Sequence, residues 1–211
     1  MMIGDEIVVK EHHTRSARKV VDLIRDKISS FDGRVVITVA GESGSGKSET
    51  ASEIVRLLKE KEGVEYRIFH QDDYFVYPPH TNADKRKEDI SHVGMDEVKL
   101  ELLDKHLKEA KDPMATTIEK PLVDFHKDEI LSETFDLTGV KVLVAEGTYT
   151  TALENADIRV FIDKTFHDTL SHRQERARDE IDEFTDKILS IEHDIISKQK
   201  EKADIIIPKE E

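Results

Sequence analysis

Cysteine is absent from the 211-residue chain, which excludes disulfides, thiolate chemistry and cysteine-ligated zinc outright. Basic residues are in deficit: 32 Lys and Arg stand against 46 Asp and Glu, a formal charge of −14. Sequence-independent binding to a phosphodiester backbone depends on Lys and Arg releasing counterions, so this balance argues against nucleic acid as a partner. Long apolar runs are missing too. The longest, such as Val140 to Ala145 with its interrupting Lys141, fall far short of the ~20 residues that span a bilayer. Met1 to Lys10 carries Asp5 and Glu6 with no basic flank before an apolar stretch, so no signal peptide is expected. There is no internal repeat and no low-complexity tract. These absences predict a folded, very soluble, cytoplasmic protein without a membrane partner, organised as one domain over residues 1–211.

What is present alternates in period. Ser16 to Ser30 spaces Val20, Leu23, Ile24 and Ile28 as an amphipathic helix that ends before Asp32-Gly33, giving an N-terminal helical extension over residues 1–33. Val35 to Ala40 is then a β-branched run with almost no polar relief, as expected of a strand buried on both faces of a parallel sheet. A helix from about Lys47 to Lys61 follows it, with Gly63 after its end. Tyr66 to Phe69, Val140 to Ala145, Ile158 to Ile162 and Asp204 to Ile207 read as further strands, with helical patterns at about Met95 to Lys111 and Phe166 to Lys200. The alternation predicts an α/β fold of about five mostly parallel strands with helices on both faces. Pro113 to Gly139 departs from it. Two strand-like segments there flank a polar tip at His126 to Glu129, which predicts a small β-hairpin-like insertion on the substrate side.

The chemistry is carried by Gly41-Glu42-Ser43-Gly44-Ser45-Gly46-Lys47-Ser48, which matches G-x-x-x-x-G-K-[ST] between a buried strand and the mouth of a helix. Consecutive backbone N–H groups wrap a phosphate only where side chains do not block approach, and the helix N-terminus adds partial positive charge. Lys47 would neutralise the β- and γ-phosphates and Ser48 would ligate Mg²⁺. The expected nucleotide cradle is Gly41 to Ser48 with Glu49 beside it. A second metal-side acid is supplied by Glu146, where a buried strand ends at the carboxyl edge of the sheet. The D-x-x-G and N-K-x-D segments of a signalling GTPase are both missing, which removes the molecular-switch class.

The strand Tyr66 to Phe69 leads into His70-Gln71-Asp72-Asp73-Tyr74-Phe75. A carboxylate at that edge can orient an attacking hydroxyl and take its proton. Adjacent strand-end residues point in opposite directions, so one of the two acids at most faces the phosphates.

Together the GESGSGKS loop, the D-x-Y-[FY] step, the E-G step at Glu146-Gly147 and the closing Ala203-Asp204-Ile205-Ile206-Ile207-Pro208 resemble the uridine kinase and phosphoribulokinase family, from about Arg34 to Pro208. The resemblance implies a P-loop kinase that moves the γ-phosphate of ATP, with Mg²⁺, onto a small-molecule hydroxyl. It places Asp72 as catalytic base beside Lys47, and Tyr74, His92, Asp124 and His126 on the substrate side. An arginine-rich lid over about residues 165–200 is implied by His172-Arg173-Gln174-Glu175-Arg176-Ala177, with Arg173 and Arg176 on the phosphates and Arg173 stabilising the transferred group. A solvated helix with local Glu175 and Asp179 pairs is the alternative for that stretch.

Departures from the family pattern bear on the acceptor. Ser91 stands where the family's ribose-binding Asp is expected, and Val123 where its base-facing Tyr is expected. Uridine is therefore disfavoured, and a sugar, sugar phosphate, polyol or nucleoside-like alcohol is expected. A uridine or cytidine kinase with rebuilt contacts and a non-catalytic nucleotide-binding regulator are the alternatives. Two secondary features read as structural: His12-His13 as a solvent-exposed pair on a flexible end, and the stripe Ile181, Phe184, Ile188, Ile191 and Ile195 as core, with a homo-oligomer seam as its alternative.

Overall fold

The computed structural model describes residues 2–4, 6–170 and 182–209. Every residue of strand β1, Val35–Gly41, is buried, because the strand lies at the centre of a parallel sheet with helices on both faces. Strands β2 (Glu65–His70), β5 (Val140–Glu146), β6 (Ile158–Asp163) and β7 (Ile205–Pro208) complete it in the order β2-β5-β1-β6-β7. Strands β3 (Thr117–Asp124) and β4 (Glu129–Asp136) form a separate antiparallel hairpin, paired from Thr117 with Asp136 to Asp124 with Glu129.

Alternation along β1 divides the core in two. Val35, Ile37 and Val39 pack with helices α1 (Glu11–Ser30) and α2 (Lys47–Glu62), whereas Val36 and Ala40 pack with α4 (Leu100–Lys111), the hairpin and α5 (Glu183–Gln199). Helix α1 begins five residues before the Ser16 expected from the pattern, and the Lys10 N–H at its start donates to His13 Nδ1 at 3.0 Å. Its His13 is buried rather than solvent-exposed: a Cβ added at Gly46 would lie 2.7 Å from its Nε2. The Met95 to Lys111 pattern resolves into a 3₁₀ turn, Met95–Glu97, and α4. The Phe166 to Lys200 pattern contains turn residues at 166–169 and then α5.

Helix α3 (Pro79–Glu88) has no counterpart in the periodicity, because Ala83 is its only apolar residue after the first proline. It is held instead by polar contacts from distant segments. The Asp128 carboxylate at the hairpin tip accepts from His80 N (2.7 Å), Thr81 N (3.0 Å) and Thr81 Oγ1 (2.6 Å), capping the helix from 47 residues away. Asp128 itself sits at φ 54°, a left-handed conformation that Asp tolerates better than most residues. Arg34 closes the other end of the insertion by donating to the carbonyls of Ala110, Asp112, Ala115, Leu137 and Val140.

Candidate active site

The turn from β1 into α2 is shaped by its glycines. Gly44 and Gly46 adopt φ 73° and 89°, conformations that side chains resist, and α2 starts at Gly46 without a side-chain cap. Its first N–H groups are therefore available to an anion. Lys47 Nζ donates to the Glu42 carbonyl at 3.0 Å, folding its cation back over the loop. Ser45 Oγ is buried and has no hydrogen-bond partner among the described residues. An uncapped helix start, a lysine over it and an orphaned hydroxyl inside the loop together fit a polyphosphate. Glu42 is used structurally, since its carboxylate accepts from Phe166 N (2.6 Å) and pairs with His193 Nδ1 (2.7 Å), tying the loop to the β6 exit and to α5. Glu49 is buried within α2, with Oε2 unpartnered among the described residues.

Glu146 ends β5 next to this loop. Its Oε1 accepts from His70 Nδ1 at 2.7 Å and its Oε2 from Ser48 Oγ at 3.1 Å. Burial opposes its ionisation, but the His70 hydrogen bond and charge, with Lys47 and Ser48, outweigh it and hold the carboxyl below its usual range. Ser48 and Glu146 thus present hard oxygen ligands side by side. Among the described residues no three His, Cys, Asp or Glu converge on one point; this donor set suits Mg²⁺, which keeps waters and substrate phosphates in its shell. Gly147 is required for close approach, since a Cβ there would stand 2.2 Å from Gln71 Cβ.

Asp72 and Asp73 share one 3₁₀ turn, Gln71–Tyr74, and face different ways. Asp73 is fully buried: it pairs with Lys120 at 2.9 Å and accepts from Val123 N at 3.0 Å, bolting the hairpin to the sheet edge. Asp72 lines the cavity with Lys47, Ser48 and Glu146, and accepts no hydrogen bond from any described residue. Burial, reinforced by the nearby Glu146 carboxylate and opposed by Lys47, pushes its carboxyl up to about 6. A partnerless carboxylate of that basicity beside a phosphate cradle is suited to receive a proton near neutral pH.

The cavity, of about 410 Å³, runs from the loop to a second wall made by α3, Phe125 of the hairpin and α5. The remaining sequence candidates lie as follows. Tyr74 is fully buried and hydrogen-bonds His106 Nδ1 at 2.9 Å, so it belongs to the core and does not line the cavity. Asp124 is drawn into the hairpin turn, where it accepts from His126 N and Lys127 N at 3.1 Å each, and His126 is exposed beside Gly4. His92 stands one layer behind the wall, against Asn82 Oδ1 at 3.1 Å. Arg173 and Arg176 lie outside the described residues. The cavity-lining residues that pattern reading misses include His80, Asn82 and Arg86 on α3 and Met2 at the N-terminal end. No apolar periodicity marks α3 in the sequence, and Met2 carries no signal at all.

Residues 36–211 match the model of the phosphoribulokinase / uridine kinase family. A uridine kinase of Clostridium novyi (strain NT) is 30% identical over 190 residues, covering 82% of this chain and 86% of that protein. The bifunctional alpha-galactosidase/sucrose kinase AgaSK of Mediterraneibacter gnavus is 27% identical over 197 residues, covering 85% of this chain and 20% of that protein. Among solved structures, the phosphoribulokinase of Rhodobacter spheroides superposes with a TM-score of 0.62 at 17% identity, covering 83% of this chain and 70% of that one.

Proposed function

The chain belongs to the phosphoribulokinase and uridine kinase family, and on that premise we propose that it transfers the γ-phosphate of ATP to a hydroxyl of a small molecule. The observation that carries this reading is Asp72, a carboxylate without a hydrogen-bond partner among the described residues, on the wall of the cavity that holds Lys47, Ser48 and Glu146. Lys47 and the loop N–H groups would hold the phosphates; Ser48 and Glu146 would hold Mg²⁺, which when bound supplies charge neutralisation at the phosphates. Asp72 orients the acceptor hydroxyl and receives its proton. Retention of these groups speaks against a purely regulatory nucleotide binder.

Uridine is disfavoured as acceptor. Ser91 is exposed, with its hydroxyl donated to Asp89 at 2.7 Å, and Val123 is fully buried, so neither replaces a ribose or base contact. Relatives named for uridine and for sucrose indicate that this frame serves different acceptors. Lys47→Ala tests the reading. Turnover should be abolished and binding of a fluorescent ATP analogue weakened, with far-UV circular dichroism unchanged; unaltered ATP affinity and activity would remove the nucleotide site from Gly41 to Ser48. Uridine assayed alongside at saturating ATP should stay below a kcat/KM of ~10⁴ M⁻¹s⁻¹, the lower end of ordinary enzymes. A higher value restores the uridine kinase reading.

A further inference from the structure

The acceptor wall is built around a buried carboxylate that no motif marks. Glu97 is completely inaccessible, and its two oxygens accept from Asn82 Nδ2 (2.8 Å), Gly94 N (2.8 Å), Arg86 Nε (2.6 Å) and Arg86 Nη2 (3.0 Å). Arg86 Nη2 also reaches Glu192 Oε1 on α5 at 3.1 Å. The guanidinium is thereby fixed in plane and direction, spanning α3, the loop before α4, and α5. It borders the cavity, and Nη1 is its one nitrogen without a partner among the described residues. Two N–H donors on a rigid mount are what a binding pocket needs to orient a ligand oxygen.

The charge of this mount is already spent. Two carboxylates, Glu97 and Glu192, face the one guanidinium. Among the described residues Lys87 also lines the cavity, as does the Asp182 carboxylate. Asp72 adds a further carboxylate at the reacting end. An anionic group on the acceptor would meet more negative than positive charge among these described side chains, and like-charge approach is costly where water is excluded. The same cavity is also lined by Phe75, Phe125, Ile188 and Leu189, surfaces for the carbon face of a ring or chain.

Building on the kinase reading, we propose that Arg86 is the acceptor-orienting residue, its Nη1 donating to an acceptor oxygen, and that the acceptor is an uncharged polyhydroxylated molecule rather than a sugar phosphate or sugar acid. Matched pairs test it by ADP release at saturating ATP and Mg²⁺: fructose against fructose 6-phosphate, ribose against ribose 5-phosphate, and glycerol against glycerate. The best neutral compound should exceed its anionic partner in kcat/KM by at least ~10-fold. Arg86→Lys keeps the charge but loses the fork, so it should raise the acceptor KM at least ~10-fold, with the affinity for a fluorescent ATP analogue within about twofold of the parent. Glu192→Gln removes one of the two compensating carboxylates and should narrow the preference for neutral acceptors by about threefold or more. An anionic partner preferred by the unaltered protein overturns the proposal. So does an unchanged acceptor KM in Arg86→Lys, or ATP-analogue binding with no turnover of any neutral sugar, polyol or nucleoside. Failure of the unaltered protein to bind the ATP analogue sinks the kinase reading first, and this proposal with it.

Discussion

Two neighbouring aspartates separate structure from chemistry at the scale of single residues. Asp73 gives both carboxylate oxygens to the hairpin, through Lys120 and Val123 N, whereas Asp72 keeps its oxygens for the cavity. Asp72→Asn should therefore cut kcat by roughly 10²- to 10⁴-fold with ATP affinity nearly intact. Asp73→Asn should instead lower stability, because it leaves the buried Lys120 ammonium short of its closest buried counter-charge. A larger loss of kcat in Asp73→Asn at equal folded fraction would reverse the assignment. The pH dependence has a definite sign. The Asp72 carboxyl is pushed up to about 6 from the 3.8 of an ordinary aspartate, so the unfolded chain loses this proton first as pH rises. Native stability is consequently reduced between pH ~4 and ~6 and stays reduced above that window. Asp72→Asn should be the more stable protein at pH 8, by on the order of 1–2 kcal/mol once partial solvent access is discounted, and the two should converge below pH ~4. Activity of the parent should fall as pH drops through about 6, because Asp72 as the proposed base must be deprotonated. The sequence offers the pair Asp72-Asp73 and the step to Tyr74, but what distinguishes the two acids is Lys120, 47 residues further on.

Elements differ in how much of their cause is local. The strands β1, β5 and β6 and the helix α2 are legible because a buried parallel strand must be apolar on both faces and a phosphate loop must carry glycines at positive φ. The hairpin is legible from its polar tip between strand-like arms. Helix α3 is not: its N-terminal cap comes from Asp128 on that tip, and its inner face is fixed by Glu97 rather than by apolar packing. The same element supplies His80, Asn82 and Arg86 to the cavity, so the least legible element lines much of its second wall. Candidates taken from family pattern, Tyr74 and Asp124 among them, lie in the core and in a turn because their polar atoms already have protein partners. Asp128→Ala should accordingly cost about 1–2 kcal/mol, the ordinary worth of an N-cap, and speed amide exchange in Pro79–Glu88. Its acceptor KM should rise while ATP affinity is unchanged. Asp128→Asn, which tolerates the left-handed backbone and keeps an acceptor oxygen, should recover most of both effects. Equal exchange in all three proteins would show that α3 holds without its distant cap.

The whole molecule is a sheet between two cores, and the N-terminal helix determines how complete one of them is. Helix α1 precedes residue 36, where the family match begins. It nevertheless buries Ala17, Val20, Val21, Ile24 and Ile28 in one core with α2 and with Val160, Ile162 and Ile207 of β6 and β7. Its first turn also brings His13 against Gly46, so the extension touches the phosphate loop from outside. A helix that merely lay on the surface would contribute little to global unfolding, whereas one that closes a core must unfold with it. Neighbouring positions on α1 distinguish the two cases. Ile24 is 1% exposed and Leu23 is 67% exposed. Ile24→Ala should lower the free energy of unfolding by about 2–4 kcal/mol, the range for deleting buried methylenes with incomplete collapse around them. Leu23→Ala should change it by less than about 0.5 kcal/mol. Urea denaturation followed by far-UV circular dichroism reads both, and the unfolding slope should remain that of the parent because the same surface is exposed. A small effect at both positions would mean that α1 detaches before the sheet unfolds, and that the core over β6 and β7 stands without it.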